Sequence, residues 1–217
     1  MLIVENLSKS YKREPVLHGI SFSVQPANVL GICGGNGAGK TTLISMVASI
    51  LPPDQGEISL MGIPIGETSA YRRLLGYVPQ NIALSPRLTV QQNLEFWASI
   101  KGYKHGELKQ LVEDAAVQAN VTAFLHKPVG RCSGGMARRA NLAAGLVGQP
   151  SLVLLDEPTA GIDEENRDLI MNTILGLKQR GCIVLMVNHY FNELAVVCDR
   201  IITLKNGVIA EEGAYGL

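Results

Sequence analysis

The sequence carries no surplus of either charge: 19 lysines and arginines stand against 19 aspartates and glutamates in 217 residues. A nucleic-acid binder ordinarily shows a basic excess, so that class is disfavoured, short of a local patch hidden in the neutral total. Long hydrophobic runs are missing too. Glu5 interrupts the apolar opening almost at once, which argues against a signal peptide. Runs such as 182–187 are far too short to cross a bilayer, so work at a membrane requires another chain to do the crossing. Cys33, Cys132, Cys182 and Cys198 form no CxxC pair, which gives no sign of a secreted disulfide scaffold. A metal site from Cys182, His189 and Cys198 matches no zinc spacing, and buried cysteines acting as small apolar residues are the better reading. No repeat, low-complexity segment or linker interrupts the chain.

What is present is core-forming material, with 47% hydrophobic and 18% charged residues. Residues 1–30 alternate short apolar runs with turn signals. Ile20, Phe22 and Val24 alternate with Ser21 and Ser23, the period of a half-buried strand, and antiparallel strands fit this opening. VLGIC (29–33) is continuously apolar, as in a strand buried on both faces, and a glycine loop and a helix over about 40–50 follow. A strand pair is expected around EISLMG, and YVPQ (77–80) ends a further strand. From Leu88 the texture becomes helical: Thr89 and Gln92 form a capping-box pattern, and Leu108, Leu111, Val112, Ala115 and Ala119 recur at helical spacing. LVLLD (152–156), CIVLMVNH (182–189) and RIITLKNG (200–207) read as strands, with a helix over about 163–180 between the first two. Alternating strand and helix predict an α/β fold with a parallel sheet, an antiparallel β opening and an inserted helical stretch.

GGNGAGKT (34–41) fits G-x-x-x-x-G-K-[ST] and stands between a buried strand and a helix. Gly34, Gly35, Asn36, Gly37, Ala38 and Gly39 would curl so that backbone N–H groups face phosphate oxygens, at a helix N-terminus that favours anions. Lys40 would reach the β- and γ-phosphates and the Thr41 hydroxyl would ligate Mg²⁺, with Thr42 beside it. In LVLLDEP, Asp156 arrives at the C-terminal end of a buried strand, where ligands gather, and is the expected second holder of Mg²⁺. Glu157 beside it could polarise a water for attack on the γ-phosphate. A second glycine-rich helix start, CSGGM (132–136), is unexplained by one nucleotide in one loop; taken alone it reads as a helix cap.

Together with Gln80, AGID (160–163) and His189, these motifs resemble the ATP-binding subunits of ABC transporters in order and separation, over essentially the whole chain. The resemblance implies a P-loop NTPase core over about 1–85 and 146–217 of a single domain, 1–217, with a helical signature subdomain over 86–145. It implies ATP hydrolysis with ATP and Mg²⁺ as cofactors. It also implies head-to-tail pairing with a second ATP-binding subunit, a homodimer being the simpler arrangement. Ser133, Gly134 and Gly135 would then hold the partner's phosphate, and Asp163 would shape the opposing site, although it could equally cap a helix. Tyr11 matches the residue that stacks on adenine, Gln80 the one that meets Mg²⁺ and the attacking water, and His189 the one that touches the γ-phosphate. The family's usual Leu and Gln at the ends of the signature are Cys132 and Met136 here. Met136 with Arg138 and Arg139, and the stretch 87–102, resemble bacterial exporters of drugs, lipids or polysaccharides.

The expected setting is the cytoplasmic face of the cell membrane, on a multi-span transmembrane subunit, with no nucleic-acid partner. No further domain is expected after GVIAEEG. The competing readings are an importer ATPase, a soluble ATPase of the same type acting mechanically on nucleic acid or ribosomes, and another P-loop class. The soluble relatives usually carry coiled coils, zinc modules or tandem halves, none of which is seen. A kinase or GTPase leaves CSGGM and His189 without a role.

Overall fold

Alternation builds the first layer. In the computed structural model, which describes residues 1–12 and 14–214, β1 (Leu2–Tyr11) and β2 (Glu14–Val24) pair antiparallel. Ile20, Phe22 and Val24 are buried and the serines between them are exposed. β4 (Gln55–Leu60) and the short β5 (Ile63–Pro64) complete a sheet of order β2-β1-β4-β5.

The second sheet contains β3 (Val29–Gly34), β6 (Leu75–Val78), β7 (Leu152–Asp156), β8 (Ile183–Val187), β9 (Arg200–Lys205) and β10 (Val208–Ala214). Its order is β10-β9-β3-β8-β7-β6, parallel except for β10 at one edge. The continuous apolar runs are explained by burial on both faces. Leu152, Leu154, Ile183, Leu185 and Val187 face a core shared with α1 (Lys40–Val47) and the first sheet. Val153, Leu155, Val184 and Met186 face a second core built with residues of the helical segments over 90–147, 164–179 and 191–197. Each such side chain contributes about 2 kcal/mol by leaving water.

Three helices make the inserted layer. α3 (Val90–Ile100) starts at a complete capping box: Thr89 Oγ1 accepts from Gln92 N at 3.1 Å and Gln92 Oε1 accepts from Thr89 N at 2.9 Å. α4 (His105–Gln118) buries Leu108, Val112, Ala115 and Ala116. α5 (Gly134–Leu146) is buried along nearly all its second half and lies so close to β6 that a Cβ on Gly145 would meet Val78 Cγ2 at 2.5 Å. Two single 3₁₀ turns, Thr122–Phe124 and Val129–Arg131, join α4 to α5. α2 (Thr68–Arg73), α6 (Glu164–Gln179) and α7 (Phe191–Val197) complete the helices among the described residues.

Two local differences from expectation have simple causes. The first helix ends at Val47 because Ser49 turns left-handed, with φ 57°, and donates to Met46 O at 2.9 Å. The last strand of the sequence reading is a hairpin: Asn206 and Gly207 both take positive φ, 51° and 75°, and return the chain antiparallel as β10. An Asn-Gly pair is the strongest short hairpin signal, and it closes the strand at the end of the run RIITLKNG.

Candidate nucleotide site

The parallel sheet carries β3, β8, β7 and β6 side by side, so their C-terminal ends open on one edge. The loop after β3 curls over Lys40, which is 6% exposed and donates from Nζ to Gly34 O at 2.8 Å and Gly35 O at 3.0 Å. Gly39 has φ 99°, and a Cβ there would meet Leu17 Cδ2 at 2.5 Å, so the turn admits no larger residue. α1 then begins with no side-chain cap and no acidic residue in its first turn. Its leading N–H groups are left without a side-chain acceptor, an arrangement that favours negative charge at a helix N-terminus.

Beneath the loop, Asp156 ends β7 at 4% exposure. Burial raises its pKa, Glu157 adds to the rise, and Lys40 and His189 oppose it. Burial lowers the pKa of Lys40, while Glu157 and Asp156 raise it. The two charges sustain each other in a partly desolvated floor. Glu157 takes φ 49°, unusual for a residue with a Cβ, and its N–H donates to Val187 O at 2.9 Å, joining the ends of β7 and β8. Both carboxylate oxygens are engaged: Gln80 Nε2 donates to Oε2 at 2.8 Å and His189 Nε2 approaches Oε1 at 2.5 Å. Three loops, from β6, β7 and β8, thus converge on one carboxylate.

A cleft of about 420 Å³ is lined by Tyr11, Asn36, Gly37, Ala38, Gly39, Lys40, Thr41, Thr42, Gln80, Glu157 and His189. Gly34 and Gly35 turn their carbonyls to Lys40, and Asp156 lies below. Tyr11 is half exposed at the rim. Ser133, Gly134, Gly135 and Asp163 do not line this cleft. Ser133 Oγ accepts from Met136 N at 3.2 Å and caps α5, and Asp163 Oδ1 accepts from Asn166 N at 2.9 Å and caps α6. The two helix starts touch, since a Cβ on Gly135 would meet Asn166 Cγ at 2.3 Å. Cys182 and His189 lie at opposite ends of β8, so with Cys198 in the core these three do not converge.

Sequence reasoning missed Asn188. It is 3% exposed, donates from Nδ2 to Thr159 Oγ1 at 3.1 Å and Glu193 Oε2 at 2.9 Å, and accepts from Tyr190 N at 3.1 Å. These bonds lock the turn that presents His189. An amide directly after five apolar strand residues was the available signal.

A family model described as ABC transporter matches residues 17–160. The chain belongs to the ABC transporter family. It is the ATP-binding subunit, an ATP hydrolase with the P-loop NTPase α/β fold. It is 40% identical over 208 residues to the linearmycin resistance ATP-binding protein LnrL of Bacillus subtilis, covering 95% of this chain and 67% of that protein. It is 38% identical over 211 residues to the Nod factor export ATP-binding protein I of Burkholderia thailandensis, covering 97% and 69%. The dimeric cassette MJ0796 superposes with a TM-score of 0.89 at 26% identity, covering 99% of each chain. A post-hydrolysis state of the same cassette, bound to ADP and Pi, gives 0.88 at 26% identity and the same coverage. No described helix of this ABC ATPase is long and apolar enough to cross a membrane.

Proposed function

We propose that this ATPase drives export through a multi-span membrane subunit, closing head to tail with a second, identical ATP-binding subunit around two ATP molecules. The observation that carries the reading is Glu157, held between Gln80 and His189 at the edge of the phosphate loop. Lys40 and the 34–39 backbone bind the β- and γ-phosphates, Thr41 and Thr42 follow them, and Tyr11 stacks on adenine. Glu157 accepts a proton from the attacking water, Gln80 orients that water, and His189 bears on the γ-phosphate. The hydroxyl of Thr41, the amide of Gln80 and the carboxylate of Asp156 are hard oxygen donors around one cleft, which suits Mg²⁺. Bound there, Mg²⁺ would neutralise phosphate charge. Ser133, Gly134 and Gly135 at the start of α5, with Asp163 beside them, serve the nucleotide of the partner chain. On this reading 86–145 is a helical subdomain set on a core formed by 1–85 and 146–217.

Export is supported by the names of two relatives, one for resistance and one for Nod factor export. The membrane subunit is supported by a groove of about 850 Å³ between α2, β6, α3 and α5. Ile50 and Ile100 stand 61% and 59% exposed on its walls, and Tyr77 and Trp97 line it. An amphipathic cytoplasmic segment of the membrane subunit fits such a surface and places the ATPase at the inner face of the cell membrane.

The test combines turnover and capture. Lys40→Ala abolishes nucleotide binding or turnover, and Glu157→Gln stops hydrolysis while trapping an ATP-loaded dimer, read by steady-state ATPase assay and light scattering. Normal turnover in either variant rejects the site. A tagged chain recovered from native membranes in mild detergent brings a multi-span protein with it; recovery of ribosomal or DNA-associated proteins instead rejects the transport reading.

A further inference from the structure

The loop that carries Gln80 is gripped by one face of α5. Asn141 is 2% exposed, donates from Nδ2 to Pro79 O at 3.1 Å, and accepts at Oδ1 from Ala83 N at 3.0 Å. Arg138, three residues earlier and so on the same helix face, donates from its guanidinium to Gln80 O. These bonds take hold of the loop before, at and after Gln80. Trp97 Nε1 of α3 adds a donation to Ala83 O at 3.3 Å. Arg138 has no carboxylate within ion-pair distance among the described residues, so a half-buried guanidinium is committed to a backbone carbonyl. The side chain of Gln80 then reaches Glu157 at 2.8 Å. The same helix begins at the glycine-rich start capped by Ser133, about one turn before Arg138 and two before Asn141.

A helix is stiff over this length, and a buried amide using both its donor and its acceptor fixes a loop in position as well as in register. We propose that Asn141 and Arg138 are positioning residues that clamp the 79–83 loop to α5. Any displacement of the Ser133–Gly135 helix start is then carried to Gln80 and through it to Glu157. The inference rests on the composite-site reading above and extends it. A phosphate held by the helix start belongs to one nucleotide, and Glu157 to the other, so the clamp makes each site sense the occupancy of its twin. Pro79, Ala83 and Asn141 also line the groove assigned to the membrane subunit, so an occupant there bears on the same clamp.

The test uses the full chain with its membrane partner, reading kcat, KM, the Hill coefficient for ATP, nucleotide affinity and Tm. Asn141→Ala and Arg138→Met are expected to lower kcat between about tenfold and about a hundredfold, the scale of a small misplacement away from the chemistry. Nucleotide affinity stays near wild type, the Hill coefficient falls toward one, and Arg138→Lys restores much of the loss. Should Asn141→Ala fail to fold, the Arg138→Met and Arg138→Lys pair decides, because that side chain is partly solvent-exposed. A wild type that hydrolyses without cooperativity and is indifferent to Ser133→Arg removes the composite site itself. A cooperative wild type whose clamp variants keep both kcat and cooperativity removes the clamp alone, as does loss of affinity and Tm in parallel with kcat.

Discussion

At the scale of single residues, the cost of burying charge is concentrated at a few places. Lys101 follows α3 and donates from Nζ to Val147 O at 2.8 Å, and burial pushes its pKa down to about 8. The folded chain therefore binds fewer protons than the unfolded chain between about pH 8 and the ordinary lysine value near 10.4, and stability rises with pH across that window. Below it the full burial penalty persists, on the order of 3 kcal/mol. Lys101→Met should flatten the rise, as chemical denaturation at pH 7.5 and pH 10 would measure; an unaltered slope would place the titrating group elsewhere. Neither this burial nor the left-handed turn at Glu157 is visible in a string of letters. Lys101 looks like an ordinary helix-end lysine, and Glu157 is a candidate in the sequence only because it stands next to Asp156.

Elements were more legible where their signals are local. The capping box at Thr89 needs two side chains three residues apart, and both halves form. Thr89→Ala should cost about 1 kcal/mol, lowering Tm by about 2–4 °C in a chain of this size. Gln92→Ala should cost less, because the Thr89 acceptor survives. Thermal melts of both variants at fixed nucleotide concentration check the order, and equal losses would show that the two bonds stand or fall together. The unbroken apolar run 29–33 likewise anticipated the both-face burial of β3, whose Val29 and Cys33 join one core and whose Leu30 and Ile32 join the other. The Asn206–Gly207 hairpin was equally local and could have been read. The length of α1 could not: no nearby residue announces that Ser49 will turn left-handed.

At the scale of the whole molecule the groove is the feature without a sequence signature. Its walls come from the helical insertion and from the β6 side of the core, drawn together by α5 packing on β6. Ile100→Lys adds a cation at the C-terminal end of α3, where the helix dipole tolerates it. It should leave ATP turnover of the isolated chain intact while reducing capture of the membrane subunit by about tenfold, the equivalent of 1.4 kcal/mol. Capture at wild-type level would move the docking surface off this groove. The sequence by itself determined the glycine-rich turn between β3 and α1, the strand that delivers Asp156 and Glu157, the caps, and the α/β class, because each depends on residues within a few positions of one another. Only the tertiary structure decided that Gln80 and His189 share Glu157, that Asn188 locks the turn beside it, and that Asn141 and Arg138 hold the glutamine loop. Those contacts join residues up to 77 positions apart. Their partners are chosen by how sheets and helices stack, which no local pattern encodes.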